Sequence, residues 1–152
     1  MDGINTEFLF DLQLEVEKPV GLGPTAAGEH KVVVFTGGRF EGPLLRGAVL
    51  PGGGDWLWRT ADDKLHIDVR LTMRTDDGAA IYAAYHGYRY ATEEATARLN
   101  AGQAVDPSDL YFRTAFTFKT GHPDYVWLNE TLAIGTGERP PGGPQFRVYR
   151  VL

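Results

Sequence analysis

The segment Pro51-Gly52-Gly53-Gly54-Asp55-Trp56 sets a carboxylate and an indole directly behind three consecutive glycines. A phosphate-cradling loop would need spaced glycines, then a Lys-Ser/Thr pair and a helix. Asp55 and Trp56 follow instead, and an acidic group there would repel phosphate. The glycines therefore read as an inter-strand turn. Either the turn is only flexible, or it delivers Asp55 and Trp56 to the rim of a pocket, where the indole offers an apolar face and one N–H donor.

A second group lies on the alternating stretch Lys64–Thr75, which carries Asp68 and Arg70, and on its return partner Ala79–Ala91. Asp77-Gly78 between them is a strong hairpin signal, and a two-residue turn sets Arg70 opposite Tyr85, Asp68 opposite Gly87 and His66 opposite Arg89. In the plain reading these face solvent, and an exposed Asp-Arg pair stabilises little. Against it, Gly87 puts no side chain opposite Asp68, which leaves room for a ligand. A loop one residue longer would exchange the faces.

A third group comprises Arg113, Thr120, Trp127 and Asn129 in the last hairpin. Asn129 among aromatics needs hydrogen-bond partners if buried, either in the backbone or on a ligand. His30, His66, His86 and His122 show no metal-ligand spacing, and Ser108 has no nucleophile-elbow context. The sequence gives no reason to expect a metal or a cofactor.

These groups need a scaffold, and the hydrophobic pattern supplies strands. Phe8–Lys18 alternates cleanly, with Phe8, Phe10, Leu12, Leu14 and Val16 on one face. Pro19–His30 reads as a loop, His30–Gly38 as a strand ended by Gly37-Gly38, and Arg39–Gly54 as one or two short strands broken at Gly42-Pro43. Leu110–Thr120, Tyr125–Gly137 and Phe146–Leu152 supply three more strands. Thr92–Gly102 is the one good helix pattern, with Thr92 as cap, Glu93 and Glu94 in the first turn and Gly102 at the end. Eight or nine antiparallel strands with one short helix predict a single all-β domain over 1–152, closed as a barrel or stacked as a sandwich.

Composition agrees. The 152 residues include 19 glycines and nine prolines, with 12% aromatic residues. The formal charge of −5, without a basic block, argues against nucleic acid and anionic membranes as partners. No cysteine is present, which excludes disulfides and thiol chemistry and fits a reducing cytoplasm, as does the lack of a signal-peptide pattern. Apolar strands and sheet edges leave room for a homodimer.

Taken in order, Pro51–Trp56, His66–Tyr82, Leu110–Thr120 and Tyr125–Gly137 resemble the domain-of-unknown-function 3237 family, also called uncharacterised protein family 0311. The resemblance spans nearly the whole chain and implies a compact β-barrel of lipocalin-like proportions, without implying an activity. By position, Gly53, Gly54, Asp55 and Trp56 match its Gly-Gly-Asp-Trp, and Asp68 and Arg70 match its Asp-x-Arg strand. Thr75, Asp77 and Gly78 match its turn, and Arg113, Thr120, Trp127, Leu128 and Asn129 match its later motifs. Lys119 departs from the acidic residue expected before Thr120. A recurrent motif shared with a Trp and an Asn favours an interior cluster for Asp68 and Arg70.

Three functions compete on this reading. The first is a barrel binding a small, partly apolar organic molecule, with Trp56, Trp127 and Tyr85 stacking, Arg70 or Arg113 holding an oxyanion, and Thr120 and Asn129 fixing orientation. The second is a cofactor-free isomerase, cyclase or lyase using Asp55 or Asp68 as acid/base and Arg70 or Arg113 as oxyanion partner. The third is a structural protein with a filled interior.

Overall fold

A computed structural model describes residues 3–152 and shows ten strands in one antiparallel sheet. These are β1 (Thr6–Val16), β2 (Val20–Thr25), β3 (Gly28–Glu41), β4 (Arg46–Val49), β5 (Gly54–Arg59), β6 (Leu65–Thr75), β7 (Ala80–Ala91), β8 (Leu110–Lys119), β9 (Ala133–Glu138) and β10 (Gln145–Val151). The sheet runs β1-β10-β9-β8-β7-β6, and β3 closes it by pairing with β1 on one side and with β4 and β5 on the other. The result is a closed eight-strand barrel in which β4 and β5 fill one strand position in succession. β2 extends the sheet beyond β1 along β3.

Three segments differ from the sequence expectation. The strand expected to end at Gly37-Gly38 runs on through both glycines to Glu41, paired with β1. Pro19–His30 is a β2–β3 hairpin, its tight end at Thr25–Gly28 closed by the Thr25 side chain. Val126–Glu130 is a short 3-10 turn, so the strand expected over Tyr125–Gly137 is confined to β9. Leu128 is buried there, and the turn seals one end of the barrel. The helix α1 (Glu93–Asn100) forms as expected: the Thr92 hydroxyl accepts the Ala95 N–H at 3.1 Å. At eight residues it is too short to cross a membrane, and no described helix is long and apolar enough to do so.

Inward positions alternate along the barrel strands, as a half-buried sheet requires, with shifts of phase at Leu9–Phe10 in β1 and between Phe35 and Phe40 in β3. At the end where β6 finishes and β7 begins, Phe10, Phe40, Met73, Ile81, Phe116 and Phe118 fill the interior. Phe10 stands edge-on to Phe40, Phe116 and Phe118 at centroid distances of 5.8–6.4 Å. β9 gives up its own side chains to admit these rings: its inward residues are Ala133, Gly135 and Gly137. A Cβ on Gly135 would lie 2.8 Å from the Phe116 ring.

The β6–β7 register corrects the expected one. Arg70 pairs with Ala84, Asp68 with His86, and Val69 with Tyr85. The connection is a three-residue loop, Asp76-Asp77-Gly78, with Gly78 at φ +96°. Thr75 sets its length: its amide donates to the Ala79 carbonyl at 2.9 Å and its hydroxyl accepts the Ala79 N–H at 2.8 Å. Asp77 takes up the Thr75 hydroxyl and the Tyr125 hydroxyl. One extra residue moves Tyr85 inward beside Val69 and leaves Asp68 and Arg70 on the outer surface.

Candidate functional site

The barrel is hollow at the other end. A cavity of about 150 Å³ opens among β1, β3, β5, β6, β7 and β8 and the β9–β10 connection. Its apolar walls include Val33, Phe35, Leu57, Ile67, Phe112 and Phe146; its polar groups are Glu29, Lys31, Asp55, Arg59, Tyr85, Arg89 and Arg139. The helix α1 flanks this mouth, Leu99 packing against the core.

Asp55 reaches the cavity because of the glycines before it. The Pro51–Gly53 segment is a jog between two collinear strands rather than the inter-strand turn expected, since β4 and β5 both run antiparallel to β3 and β6. The chain passes close to its neighbours here. A Cβ on Gly53 would lie 2.6 Å from the Arg70 carbonyl oxygen, and one on Gly54 2.8 Å from that of Val33. β5 then pairs Asp55 with Val69, both inward. The β5–β6 pairing is interrupted and resumes at Trp58–His66. In the gap the Asp68 N–H donates to Asp55 Oδ1 at 3.0 Å. One carboxylate oxygen thus repairs the ladder, and the other has no hydrogen-bond partner among the described residues. Burial pushes the Asp55 pKa up to about 6, against the lowering effect of the Asp68 amide; the nearby Asp68 charge raises it further and the Arg89 charge opposes.

Tyr85 stacks on Phe116 at 4.3 Å and meets Phe146 edge-on at 5.3 Å. Its hydroxyl makes no hydrogen bond to the described residues. Burial, and then the charge on Asp55, holds its pKa well above the ordinary tyrosine value.

Arg89 continues the inward phase Ile81, Ala83, Tyr85, Gly87, so a half-buried guanidinium lines the cavity. It lies over the Phe112 ring at 5.7 Å and forms no ion pair among the described residues. Burial, then the like charges of Arg139 and Arg59, lower its pKa to about 10. Burial also lowers that of Arg139. Arg59 is tied to Asp63 by a 2.6 Å contact, and Arg89 has no such partner among the described residues.

Of the residues singled out from the sequence, Asp55 and Tyr85 are brought together in this cavity. Trp56, Asp68, Arg70 and Arg113 sit on outward positions, Trp56 46% exposed and Arg113 over the Tyr111 ring. The inward cluster expected of Asp68 and Arg70 is therefore absent, for the register reason above. Gly87 leaves no path to Asp68: a Cβ there would strike the Arg113 carbonyl, so the glycine serves the close approach of β7 and β8. Thr120, Trp127 and Asn129 belong to the closed end. Asn129 accepts the Thr120 N–H at 2.8 Å and donates to its carbonyl at 2.9 Å, Thr120 donates to the Ala80 carbonyl at 2.8 Å, and the Trp127 indole donates to the Asp124 carbonyl.

Sequence reasoning missed Lys31, Arg59, Arg89 and Arg139. For the first three the signal was a charge falling in the apolar phase of a strand: Lys31 with Val33 and Phe35, Arg59 with Asp55 and Leu57, Arg89 with Ile81 through Tyr85; Arg139 lies in the β9–β10 connection, where alternation gives no signal. Each stands at the mouth end.

The family model described as "Protein of unknown function (DUF3237)" matches residues 4–151. A UPF0311 protein of Clostridium acetobutylicum is 32% identical over 97% of this chain and 94% of its own length. A solved β-barrel-like protein from Acinetobacter baumannii is 34% identical, with a TM-score of 0.88 over 100% of this chain and 98% of that one. A solved enzyme from Penicillium herquei, 24% identical with a TM-score of 0.77 over 100% and 97% of the two chains, shares the fold. Fold, identity and near-complete coverage agree: the chain is a member of the DUF3237 family of β-barrel proteins, also called UPF0311.

Proposed function

We propose that the mouth of the barrel binds a small organic acid, an apolar body of about one aromatic ring carrying one anionic group. The observation that carries this reading is Arg89, a half-buried guanidinium without an ion pair among the described residues, beside Arg139 and Arg59. A buried charge is costly unless something pairs with it, and a carboxylate or phenolate oxygen would do so through charge-assisted hydrogen bonds. The cavity volume, about 150 Å³, is that of a pocket able to hold benzene. Phe112, Phe146 and Phe35 offer the apolar walls. In this reading Arg89 takes the oxyanion-holding role that the sequence assigned to Arg70 or Arg113, and the phenylalanines take the stacking role assigned to Trp56 and Trp127.

Thermal unfolding with benzoate and with benzyl alcohol tests the proposal. Benzoate raises Tm with concentration, as a ligand of the folded state must. Benzyl alcohol, of similar size without the charge, does so far less, and Arg89→Met removes the difference. Equal shifts from both compounds, or none from benzoate, would sink the reading.

A further inference from the structure

We infer that Asp55 is a general base acting on the bound molecule, and that its natural ligands are enolisable oxo acids, small acids with a ketone next to an acidic C–H. The inference rests on the binding reading above and adds a reaction to it.

Three groups carry it, and each lacks a partner where it faces the cavity. Asp55 is anchored by Oδ1 on the Asp68 amide, which fixes the carboxylate and leaves its second oxygen free. The Tyr85 hydroxyl is a donor without an acceptor, close enough to feel the Asp55 charge. Arg89 is a cation that forms no ion pair among the described residues, although the Asp55 charge reaches it. A base, a neutral donor and a cation around one apolar space match the needs of carbon acids. The base takes the proton, the donor meets the oxygen on which charge develops, and the cation holds the carboxylate that orients the molecule.

The step balances within the ligand and the protein. The Asp55 carboxylate takes the proton from carbon. The C–H electron pair becomes the new C=C bond, and the carbonyl π pair moves onto oxygen, where the Tyr85 O–H donates to it. Protonated Asp55 then returns the proton, to that oxygen or to another carbon of the delocalised anion, so the net reaction is an isomerisation. Burial that keeps the Asp55 carboxyl near neutrality in its affinity for protons lets it both take and return one.

The test is exchange of the methylene protons of phenylpyruvate in deuterated buffer, followed by proton NMR, beside benzoate binding to the same preparation. The wild-type protein is expected to accelerate exchange about 10²-fold or more over buffer. Asp55→Asn, which keeps an acceptor for the Asp68 amide, abolishes the acceleration and retains benzoate binding. Tyr85→Phe lowers it by about 10²-fold. The wild-type rate rises with pH through about 6, the Asp55 value, a readout that does not depend on any variant folding. Benzoate binding without exchange of phenylpyruvate or acetoacetate above buffer overturns the inference and leaves the binding reading standing. Exchange untouched by Asp55→Asn, or flat with pH between 5 and 7, also overturns it. Failure of benzoate to bind removes both.

Discussion

Strand by strand, the inward residues at the closed end and at the mouth form a contrasting series. β1 carries Phe10 at one end and Val16 at the other; β3 carries Phe40 and Lys31; β6 carries Met73 and Leu65; β7 carries Ile81 and Arg89; β8 carries Phe118 and Phe112. The closed end is a column of interlocking rings with its polar groups tied into loops. The mouth holds a cation without an ion pair among the described residues, a half-anchored carboxylate and empty space. The difference teaches where this fold draws its stability and where it spends it, and four substitutions can break or sharpen that division.

The largest effect is expected from Phe10→Ala, which opens a hole among Phe40, Phe116 and Phe118. Denaturant unfolding should show a loss of about 3–5 kcal/mol. A loss below 1 kcal/mol would mean that the closed end is not the stabilising half.

Asp55→Asn should act in the opposite direction. Folded Asp55 keeps its proton up to about pH 6, against 3.8 for an ordinary aspartate. Between those values the folded state binds more protons than the unfolded chain, so the stability tied to this group is present below about pH 4 and lost as pH rises through 6. At pH 7 the variant should exceed the wild type by up to about 3 kcal/mol, with little difference at pH 3.5. Chemical unfolding at the two pH values gives the comparison; a gain that does not grow with pH would refute the assignment.

Arg89→Met replaces a cation near two like charges with an apolar side chain of similar length. Removing a partly desolvated charge that lacks an ion pair should be neutral or stabilising, here by about 1 kcal/mol at pH 7. A loss of several kcal/mol would show that Arg89 has a structural partner. The smallest effect belongs to Arg70→Ala on the outer surface, expected within about 0.5 kcal/mol and without effect on benzoate binding.

Much of the barrel was legible because alternation is a local signal. β1, β6, β7, β8 and β10 are plain in the sequence, and so is the Thr92 cap. What was not legible depended on tertiary partners. The β6–β7 register turned on Thr75 and Asp77 engaging Ala79 and Tyr125, contacts that lengthen the loop by one residue. The 3-10 turn at Val126–Glu130 keeps strand-like composition and folds otherwise because Asn129 clamps Thr120. At the site, Asp55 and Tyr85 stood out from the sequence. The arginines did not, because a charge in the apolar phase is informative only once the inward face of its strand is known.

The Pro51–Gly53 jog has a further consequence, one of parity. Four residues, 50–53, stand between Val49 and Gly54, while the facing pairs on β6, Met73 and Arg70, enclose only two. The excess is even, so odd-numbered positions stay inward on both sides of the jog: Gly47 and Val49 in β4, Asp55 and Leu57 in β5. Evolution could therefore vary this joint only in steps of two without inverting the strand that follows. Loss of one glycine would turn Trp56 into the cavity and Asp55 out to water, exchanging a pocket that holds a carboxylate for an indole-filled plug while the closed end folded as before.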